Sequence, residues 1–497
     1  MSSPFEWLIL LPFAGAVVAI VLPGRFRPGF GLVLTLGTFA AAGWMVHEVW
    51  TDGTQVYPLG NWDAPLGIPL YADGLSALLL LTTSAVMSMV GIYALGYYAP
   101  GEDAARWTAG RAFVPLWLML LGSLNALFLS GDLFNIYVAL ELLTIAGVSL
   151  VLLASGVTAL QAGMRYLLAA FLASLLYLMG VALLYGEFGA LDLRVIEADV
   201  AAGAGVPLIA LALLFVGLAI KAALFPFHAW LPAAHASAPT PVSAVLSALV
   251  VKAAFYVVLR LWIDVFEGAI TMPAAQAVGI LGAAGILWGS LQALREQRLK
   301  LVVAHSTVAQ VGYLFLLFPL VAGTQHGDWQ FDAWASGVYH MMSHAFAKAS
   351  LFLSAGTILY AYGNDQISAM RGLTTSLPIT TFAFGLAGIA LVGLPPSGSF
   401  VAKWVLLTAT IESAQWWWTV VIALGTLLSG AYVYRLLRAA FTPDPLPESV
   451  RPVPRVMEYT ALVLALVALG LGLRAAEPFE LLETGAPFIE RSAEVEG

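Results

Sequence analysis

Apolar runs of about 20 residues, separated by short polar segments, cover most of the chain. A helix needs roughly 20 apolar residues to cross a bilayer, and its backbone groups must be satisfied within the segment. The runs lack the alternation over about 10 residues that marks a membrane β-strand. We therefore predict an all-α polytopic membrane protein with about 14 transmembrane spans. These are residues 4–22, 30–50, 74–96, 112–130, 132–155, 159–186, 207–230, 241–263, 272–294, 300–322, 335–361, 378–410, 415–441 and 456–474.

Prolines interrupt two of these spans, span 7 in residues 221–232 and span 12 in residues 393–404. Proline removes a backbone hydrogen bond, and broken helices are tolerated at membrane depth where protein buries them or where they line a hydrated cavity. The breaks are five spans apart, which suggests two five-span repeats of opposite orientation, an architecture found in transporters. The predicted division is an N-terminal three-helix segment (1–110), a first repeat (111–263), a second repeat (264–441) and a C-terminal helix and tail (442–497). The polar connections near residues 51–73, 187–206 and 442–455 are predicted to be loops.

Lysine and arginine gather in the loops on one side of the predicted spans, which marks that side as cytoplasmic. This set is Arg25, Arg27, Arg106, Arg111, Arg295, Arg298, Lys300, Arg371, Arg435, Arg438, Arg451 and Arg455. The opposite side has Arg194, Arg474 and Arg491 with the acids Asp52, Asp63, Asp192, Glu197, Asp199, Asp264 and Asp328. An even number of spans then places both termini outside. The first apolar stretch is interpreted as a retained helix rather than a signal peptide.

Composition supports a membrane protein and excludes several other classes. Apolar residues make up 61% and charged residues 10% of the chain, against roughly 25% charged residues in soluble proteins. Cysteine is absent, which excludes a cysteine-ligated iron–sulfur cluster and a disulfide framework. Basic tracts that would suggest nucleic acid are lacking. We expect no cofactor and no nucleic-acid partner.

Lysine is rare in this sequence, yet it recurs inside the spans. Of the five lysines, Lys221, Lys252, Lys348 and Lys403 lie in apolar segments, and Lys300 is assigned to a polar loop. Inserting a lysine at the centre of a membrane helix costs about 3 kcal/mol on insertion scales. The four intramembrane lysines therefore point to charge movement through the membrane.

Glu141 in span 5 and Lys221 in span 7 are candidates for a buried ion pair. The ionisation of each group would depend on its distance from the other, so opening the pair could release a proton. The alternative is a static salt bridge between two helices, although buried ion pairs contribute little net stability.

Histidines accompany the lysines. His228 and His235 lie in and after the break of span 7, while His340, His344 and Lys348 share one face of span 11 at four-residue spacing. Histidine can pass a proton between its two ring nitrogens, or simply hydrogen-bond neighbouring helices. His340 and His344 have zinc-ligand spacing but lack a third ligand, so we predict no metal site.

The remaining intramembrane residues receive simpler interpretations. Lys252 is a candidate central proton carrier, and Lys403 a terminal site that is open to one side. Arg260 and Arg435 are expected to extend toward the membrane interface. Two aspartates, Asp73 and Asp132, are expected to cap helices.

Several ordered motifs resemble the antiporter-like membrane subunits of respiratory complex I, membrane-bound hydrogenases and Mrp-type cation/proton antiporters. They are residues 131–141, 221–232, 235–244 with Lys252, 300–313, 344–348 and 393–403, and the resemblance covers spans 3 to 13. The 14-span length and residues 59–73 are similar to the branch formed by the Mrp D subunits. In that family the corresponding residues carry protons, which implies this role for Glu141, Lys221, Lys252 and Lys403.

Some positions depart from the family pattern. Residues 231–235 lack the usual acid, the span-12 break has one extra residue, and His305 stands where tyrosine is common. The His340/His344 pair looks more like the complex I and hydrogenase members.

The leading hypothesis is a proton-translocating subunit of a multisubunit complex in a bacterial inner membrane, namely the D subunit of an Mrp-type Na⁺/H⁺ antiporter. Its partners would be other membrane subunits, the lipid bilayer and protons, with passage of Na⁺ left open. The alternative is a proton-pumping subunit of a complex I-like oxidoreductase or hydrogenase. A stand-alone carrier of a small solute or bicarbonate and a structural anchor are further possibilities. The chain shows no redox or nucleotide-binding motif, so any driving reaction must come from elsewhere.

Overall fold

Helices form almost all of the structure, a computed structural model that describes residues 3–62, 67–99, 104–200, 205–322, 327–443 and 450–488. The helices are α1 Pro4–Val21, α2 Arg27–Asp52, α3 Gly74–Tyr97, α4 Ala104–Leu129, α5 Leu133–Leu152, α6 Gly156–Phe188, α7 Leu193–Val200, α8 Val206–Lys221, α9 Trp230–Ser237, α10 Thr240–Val245, α11 Val251–Leu259, α12 Met272–Arg295, α13 Leu299–Leu314, α14 Phe318–Val321, α15 Trp329–Tyr362, α16 Leu373–Ser376, α17 Pro378–Val392, α18 Gly398–Glu412, α19 Trp417–Phe441, α20 Arg455–Gly470 and α21 Ala476–Glu483. Two strands, β1 Gln55–Pro58 and β2 Pro69–Ala72, form an antiparallel hairpin. Asp63 and Arg491, used above for orientation, lie outside the described residues.

Eleven continuous helical segments in the described part of the chain are long and apolar enough to cross a membrane. The other three predicted spans are present in different forms. Span 7 is α8 and α9 with a break between them, and span 12 is α17 and α18 with a second break. Span 11 is the 34-residue α15, whose apolar run is interrupted by the His340–Lys348 face.

Two predicted loops contain regular structure. Residues 51–73 include the β-hairpin, and residues 187–206 include the eight-residue α7, so the loop assignments there are wrong. Both elements are short and follow a long helix, which leaves little periodicity to detect. The two capping expectations are confirmed: Asp73 accepts a hydrogen bond from Ser76 N at 2.9 Å, and Asp132 from Asn135 N at 2.7 Å.

Both predicted breaks follow local sequence. Lys221 ends α8, Ala223 has a φ of +55°, and the Phe225–Pro226 peptide bond is cis. In span 12, Gly393 takes a left-handed conformation with φ +84°, the Pro395–Pro396 bond is cis, and α18 begins at Gly398. These conformations end the first half of each span while the second half continues across the membrane.

The centre of the molecule is span 8, whose apolar window between Thr240 and Val265 is completely buried. This span is not a uniform helix. Five residues from Leu246 to Val250 and six from Arg260 to Val265 form π-helical turns on either side of α11, which carries Lys252. Single π turns inside helices are frequent at functional sites.

Glycines allow close helix contact beside this centre. A Cβ atom on Gly312 of α13 would lie 2.4 Å from the carbonyl oxygen of Gly282 on α12. Small residues permit such backbone approach between membrane helices, where packing replaces the hydrophobic effect. The α12–α13 pair is therefore a tight unit, and it packs beside the break of span 7 through the Phe225–Trp288 ring contact, at 6.0 Å between centroids.

Candidate functional site

Glu141 and Lys221 form the predicted ion pair. The Lys221 Nζ donates to Glu141 Oε1 at 3.2 Å and to Thr144 Oγ1 at 3.0 Å, while Ser174 also donates to the Glu141 carboxylate. Lys221 is the last residue of α8, where the free helix carbonyls favour a positive charge. The two side chains are 8% and 28% exposed, so the pair is closed but is not sealed on the glutamate side.

A small cavity of about 10 Å³ adjoins this pair, lined by Thr144, Tyr166, Lys221 and Trp230 among others. That volume is close to the minimum that holds one water molecule. Trp230 is fixed by its indole, which donates to Ile220 O at 2.9 Å, and by stacking on Tyr166 at 4.3 Å between ring centroids. Lys221 thus has a small, mostly apolar space beside it, part of whose wall is formed by Tyr166 and Trp230.

The two histidines of span 7 occupy different surroundings. His228, on the turn Phe227–Ala229, is half-buried and stacks on Phe225 at 5.5 Å. His235, near the end of α9, is 1% exposed and stacks on Phe352 of α15 at 4.9 Å. Both ring nitrogens of His235 lack a hydrogen-bond partner among the described residues.

Lys252 lies at the centre of the protein and is 3% exposed. Its Nζ donates to the carbonyl oxygen of Ser247, which belongs to the preceding π turn. A π turn releases carbonyl groups from the regular i→i−4 pattern, and here one of them accepts from the ammonium group. The backbone irregularity and the buried charge are therefore directly connected.

The polar face of α15 is confirmed as a continuous feature. The rings of His340 and His344 stack at 5.7 Å, and Lys348 donates to Val303 O and, at 2.7 Å, to Ser306 Oγ on α13. Among the described residues, both nitrogens of His340 and Nε2 of His344 have no hydrogen-bond partner. Buried polar atoms of this kind are rare and often mark places where water or a proton binds.

Lys403 is buried, so the expectation of a terminal site open to one side is wrong for this conformation. The residue is 6% exposed, and its Nζ donates to Val392 O at 3.0 Å, the last residue of α17. It also lies 4.3 Å from the ring centroid of Tyr313. The break in span 12 frees the carbonyl oxygen of Val392 at the end of α17, and the Lys403 ammonium group donates to it.

Short contacts connect these groups in two series. Lys403 faces Tyr313, whose ring lies 5.8 Å from that of His340, and His340 stacks on His344. Lys348 lies 5.4 Å from the ring of Phe352, on which His235 stacks. The π turn Leu246–Val250, which precedes Lys252, packs directly against α15, the helix that carries His344 and Lys348. The predicted residues of span 8, span 11 and span 12 are therefore neighbours, although their role in proton transfer stays a prediction.

Sequence reasoning missed Lys300. It is not in a loop but in the first turn of α13, 2% exposed, and its Nζ donates to Ala238 O at 2.6 Å. The neighbouring Arg295 and Arg298 favoured the loop assignment. The useful signal was the apolar residues on both sides of Lys300, Leu299 and residues 301–304, which place it at the start of a buried helix.

Arg260 does not extend to the interface. Its guanidinium group makes two contacts with Asp73, at 2.5 and 2.6 Å, and a third with Asp264 at 3.0 Å. Arg435 donates to the backbone carbonyls of Leu294 and Glu296 at the end of α12. Each arginine thus donates to acceptors fixed on a neighbouring helix. Water at the membrane interface could take the place of these acceptors only if the helices separated.

A further cavity lies away from the lysines, at the hairpin end of the molecule. It has a volume of about 470 Å³, and polar residues including Tyr71, Asp192, Arg194, Arg260 and Asp264 line it. Tyr71, outside the membrane spans, has a pKa raised above its usual value, mainly by burial. Arg260 therefore lines this cavity while its guanidinium group binds Asp73.

These features define a class of protein, a multi-pass membrane protein with a buried row of ionisable groups and two broken helices. Residues 130–429 match the family described as NADH:quinone oxidoreductase/Mrp antiporter, TM, and the chain belongs to this family. This confirms the resemblance found in the sequence.

Individual relatives come from both branches of the family. The chain is 31% identical over 481 residues to the N subunit of the NADH-quinone oxidoreductase of Desulforudis audaxviator, covering 94% of this chain and 93% of the relative. It is 28% identical to the D subunit of the Na⁺/H⁺ antiporter of Bacillus subtilis, covering 98% and 95%. Among solved structures, a chain of the Mrp complex from Dietzia sp. DQ12-45-1b matches with a TM-score of 0.88 at 25% identity, covering 99% of both chains.

Proposed function

We propose that this chain is a proton-translocating subunit of a multisubunit membrane complex, an Mrp-type Na⁺/H⁺ antiporter in which it takes the place of the D subunit. The similarity to the Bacillus subtilis D subunit over nearly the full length of both chains supports the assignment. The observation that carries the proposal is the Glu141–Lys221 contact at 3.2 Å inside the membrane body. Hydroxyl groups bind both members of the pair, because Thr144 accepts from Lys221 and Ser174 donates to Glu141.

In the proposed mechanism, opening this pair changes the proton affinity of both groups. While Lys221 is close to Glu141, the positive ammonium form is favoured, and separation favours loss of a proton from the lysine. Lys252 takes the central position because it lies beside both series of contacts. His340, His344, Lys348 and His235 would carry protons onward, with Lys403 as the last lysine of the row.

His228 would act at the break of span 7, which follows Lys221 of the Glu141–Lys221 pair. It is the least buried of the histidines proposed for the route, which suits exchange with water. Neutral histidine can accept a proton on one nitrogen while donating from the other. The proposed proton route therefore runs through both halves of the molecule rather than straight across one helix bundle.

We also propose the inverted-repeat organisation, with repeats in residues 111–263 and 264–441 between an N-terminal segment of residues 1–110 and a C-terminal one of 442–497. Each repeat contains one broken span and at least two of the intramembrane lysines, which supports the division. Both termini would lie on the outer side of a bacterial inner membrane. Because the chain has no cysteine, single cysteines at Glu477 and Arg451 can test this. An impermeant thiol reagent on intact cells should label Glu477→Cys and spare Arg451→Cys, and the opposite pattern would reverse the orientation.

A redox-driven complex is the second candidate. The 31% identity to the N subunit of an NADH-quinone oxidoreductase over 94% of the chain favours it. The two candidates share the proton route and differ in the partners that drive it. Purification of the tagged chain in mild detergent separates them, since small multispan subunits alone would indicate an antiporter and redox subunits an oxidoreductase.

Proton transport by the reconstituted complex tests the proposed route. Lys252→Ala and Glu141→Ala should each abolish transport, and Glu141→Gln should do the same with nearly unchanged volume. Glu477→Gln alters an exposed carboxylate and serves as the control. Rates equal to those of the unaltered complex in both Lys252→Ala and Glu141→Ala would exclude the route.

A further inference from the structure

His305 is a titratable residue that the proposed route does not use. It lies in the second turn of α13, which begins next to Arg298 and Lys300, on the side predicted to be cytoplasmic. Its side chain is 13% exposed, so it lies between the protein surface and the interior. This position alone does not assign a role, but the groups on either side of it do.

Glu296 lies on the outer side of His305. Its Oε1 is 3.6 Å from His305 Nε2, and its side chain is 30% exposed. Glu296 follows directly after α12, where Arg435 donates to its backbone carbonyl. The carboxylate is therefore held at the mouth of the α12–α13 unit with one side toward solvent and the other toward the imidazole.

His228 lies on the inner side. Its ring stacks on Phe225 at 5.5 Å, and the Phe225 ring lies 6.0 Å from that of Trp288, so the turn that carries His228 packs against α12 of the α12–α13 unit. Nδ1 of His305 and Nδ1 of His228 are both buried, and neither has a hydrogen-bond partner among the described residues. Each is a nitrogen that can take up or release a proton without first breaking a protein hydrogen bond.

The scaffold holds this arrangement. Phe225, on which His228 stacks, also contacts Trp288 of α12. A Cβ atom on Gly289 would lie 2.9 Å from the carbonyl oxygen of His305, so α12 and α13 are in backbone contact at this level. Glu296 is the titratable group in contact with His305, and Arg435 donates to the backbone carbonyl of Glu296.

We propose that His305 is a proton-transferring residue that collects protons at Glu296 and passes them to His228. A neutral imidazole that carries its proton on Nδ1 accepts a second proton at Nε2 from the Glu296 carboxyl group, gives the Nδ1 proton to the unpartnered Nδ1 of His228, and returns to its first tautomer by rotation of the ring. One proton enters and one leaves in each cycle, and no electrons are transferred. This inference deepens the proposed function, on which it rests, by adding a surface-connected residue on α13 to the break of span 7.

Inverted membrane vesicles that contain the whole complex provide the test, because they expose the cytoplasmic face. His305→Gln keeps a hydrogen-bonding side chain but cannot be protonated in this range, so proton transport should fall by about tenfold or more near pH 8.5. The loss should be smaller near about pH 6.5, where protons are more abundant. The control is His47→Gln, which alters an exposed histidine on α2 and should leave the pH profile unchanged.

A second variant separates proton transfer from a structural role. His305→Ala leaves space at the mouth, and imidazole added to the medium should restore at least part of the transport. If His305→Gln transports at the normal rate across this pH range, or if imidazole does not restore His305→Ala, the inference is overturned. Lys221→Met distinguishes a failure of the proposed function from a failure of the inference about His305. Normal transport by Lys221→Met refutes the proposed function itself. Loss of transport by Lys221→Met, together with normal transport by His305→Gln, refutes only proton transfer through His305.

Discussion

Two ion pairs with a largely buried cation are found in this protein, and they are built differently. Lys221 and Glu141 share a single contact of 3.2 Å, and the glutamate side chain is 28% exposed. Arg260 and Asp73 share two contacts of 2.5 and 2.6 Å, with side chains that are 7% and 2% exposed. Hydroxyl groups bind the cation in both pairs, and the Arg260 pair alone has a second carboxylate, that of Asp264 at 3.0 Å.

The difference separates a pair that can open from one that holds the fold. Arginine keeps its proton in proteins and presents a planar guanidinium group to a carboxylate. The Arg260–Asp73 pair can therefore be intact or broken, but Arg260 does not release a proton. Lysine makes weaker single contacts and can release its proton when its surroundings change. Sequence position does not reveal this contrast, since both cations lie near the ends of apolar helices.

The largest effect is expected from removing one partner of the arginine pair. Arg260→Met leaves the Asp73 carboxylate buried without its cation, and breaking such a pair destabilises by about 3–5 kcal/mol. We expect poor assembly and a lower thermal transition of the purified complex. Adding Asp73→Asn removes the unpaired charge and should restore part of the stability. A complex with Arg260→Met as stable as the unaltered one would contradict the structural role.

A large effect on transport, rather than on assembly, is expected at the lysine pair. Lys221→Arg keeps the positive charge but does not release a proton, so proton transport should fall by about 100-fold or more. The matched control is Arg260→Lys, which loses one contact but keeps the charge, and should transport normally in the complexes that assemble. Transport measured by dye quenching in vesicles checks both variants, and a functional Lys221→Arg would show that this lysine is only a structural cation.

A smaller effect is expected from the hydroxyl that supports Glu141. Ser174 donates to its carboxylate, and hydrogen bonds to charged groups contribute about 1.5–3 kcal/mol. When Lys221 moves away, this hydroxyl still stabilises the carboxylate, so Ser174→Ala should make opening rarer. We expect transport to slow by roughly tenfold, the lower end of the range set by one such hydrogen bond. Ser174→Thr retains the hydroxyl and should remain near the normal rate, whereas equal rates in the alanine and threonine variants would exclude a role for this group.

The smallest effect is expected at an exposed pair. Arg474 donates to Glu477 at 2.6 Å, and this hydrogen bond lowers the pKa of Glu477 below its usual value. A carboxyl group whose pKa is lowered on folding stabilises the protein above its unfolded pKa, and the contribution is lost as the pH falls through the folded value. Any contribution therefore disappears only in acid, below about pH 4. Glu477→Gln should leave transport and thermal stability unchanged at neutral pH, because solvent screens exposed pairs, and a measurable loss would mean that this pair is covered in the complex.

Much of the fold was predictable because membranes impose strong local rules. Apolar runs near 20 residues and prolines within two of them are sufficient to place the spans and both breaks. Buried lysines are conspicuous in such segments, so Glu141, Lys221, Lys252 and Lys403 could be selected without coordinates. The order of the groups in space was less accessible, as Tyr313 between Lys403 and His340 shows.

What sequence reasoning missed depends on long-range contacts or on backbone detail. Arg260 and Asp73 are 187 positions apart, so no local pattern connects them. Lys300 follows two arginines and therefore looked solvated, although its ammonium group reaches Ala238 O. The π turns around Lys252 contain ordinary apolar residues, and no side-chain signal distinguishes them from α-helix.

Those π turns give span 8 a means of rotation. A π turn accommodates one more residue than an α-helical turn, and each residue in an α-helix accounts for about 100° of rotation about the axis. If the extra residue of the Leu246–Val250 turn moved past Lys252, the ammonium group would swing by about that angle without the helix lengthening or its ends moving. Span 8 would then present the Lys252 ammonium group alternately to Ser247 and to another neighbour, while Arg260 and Asp73 hold the far end of the helix in place.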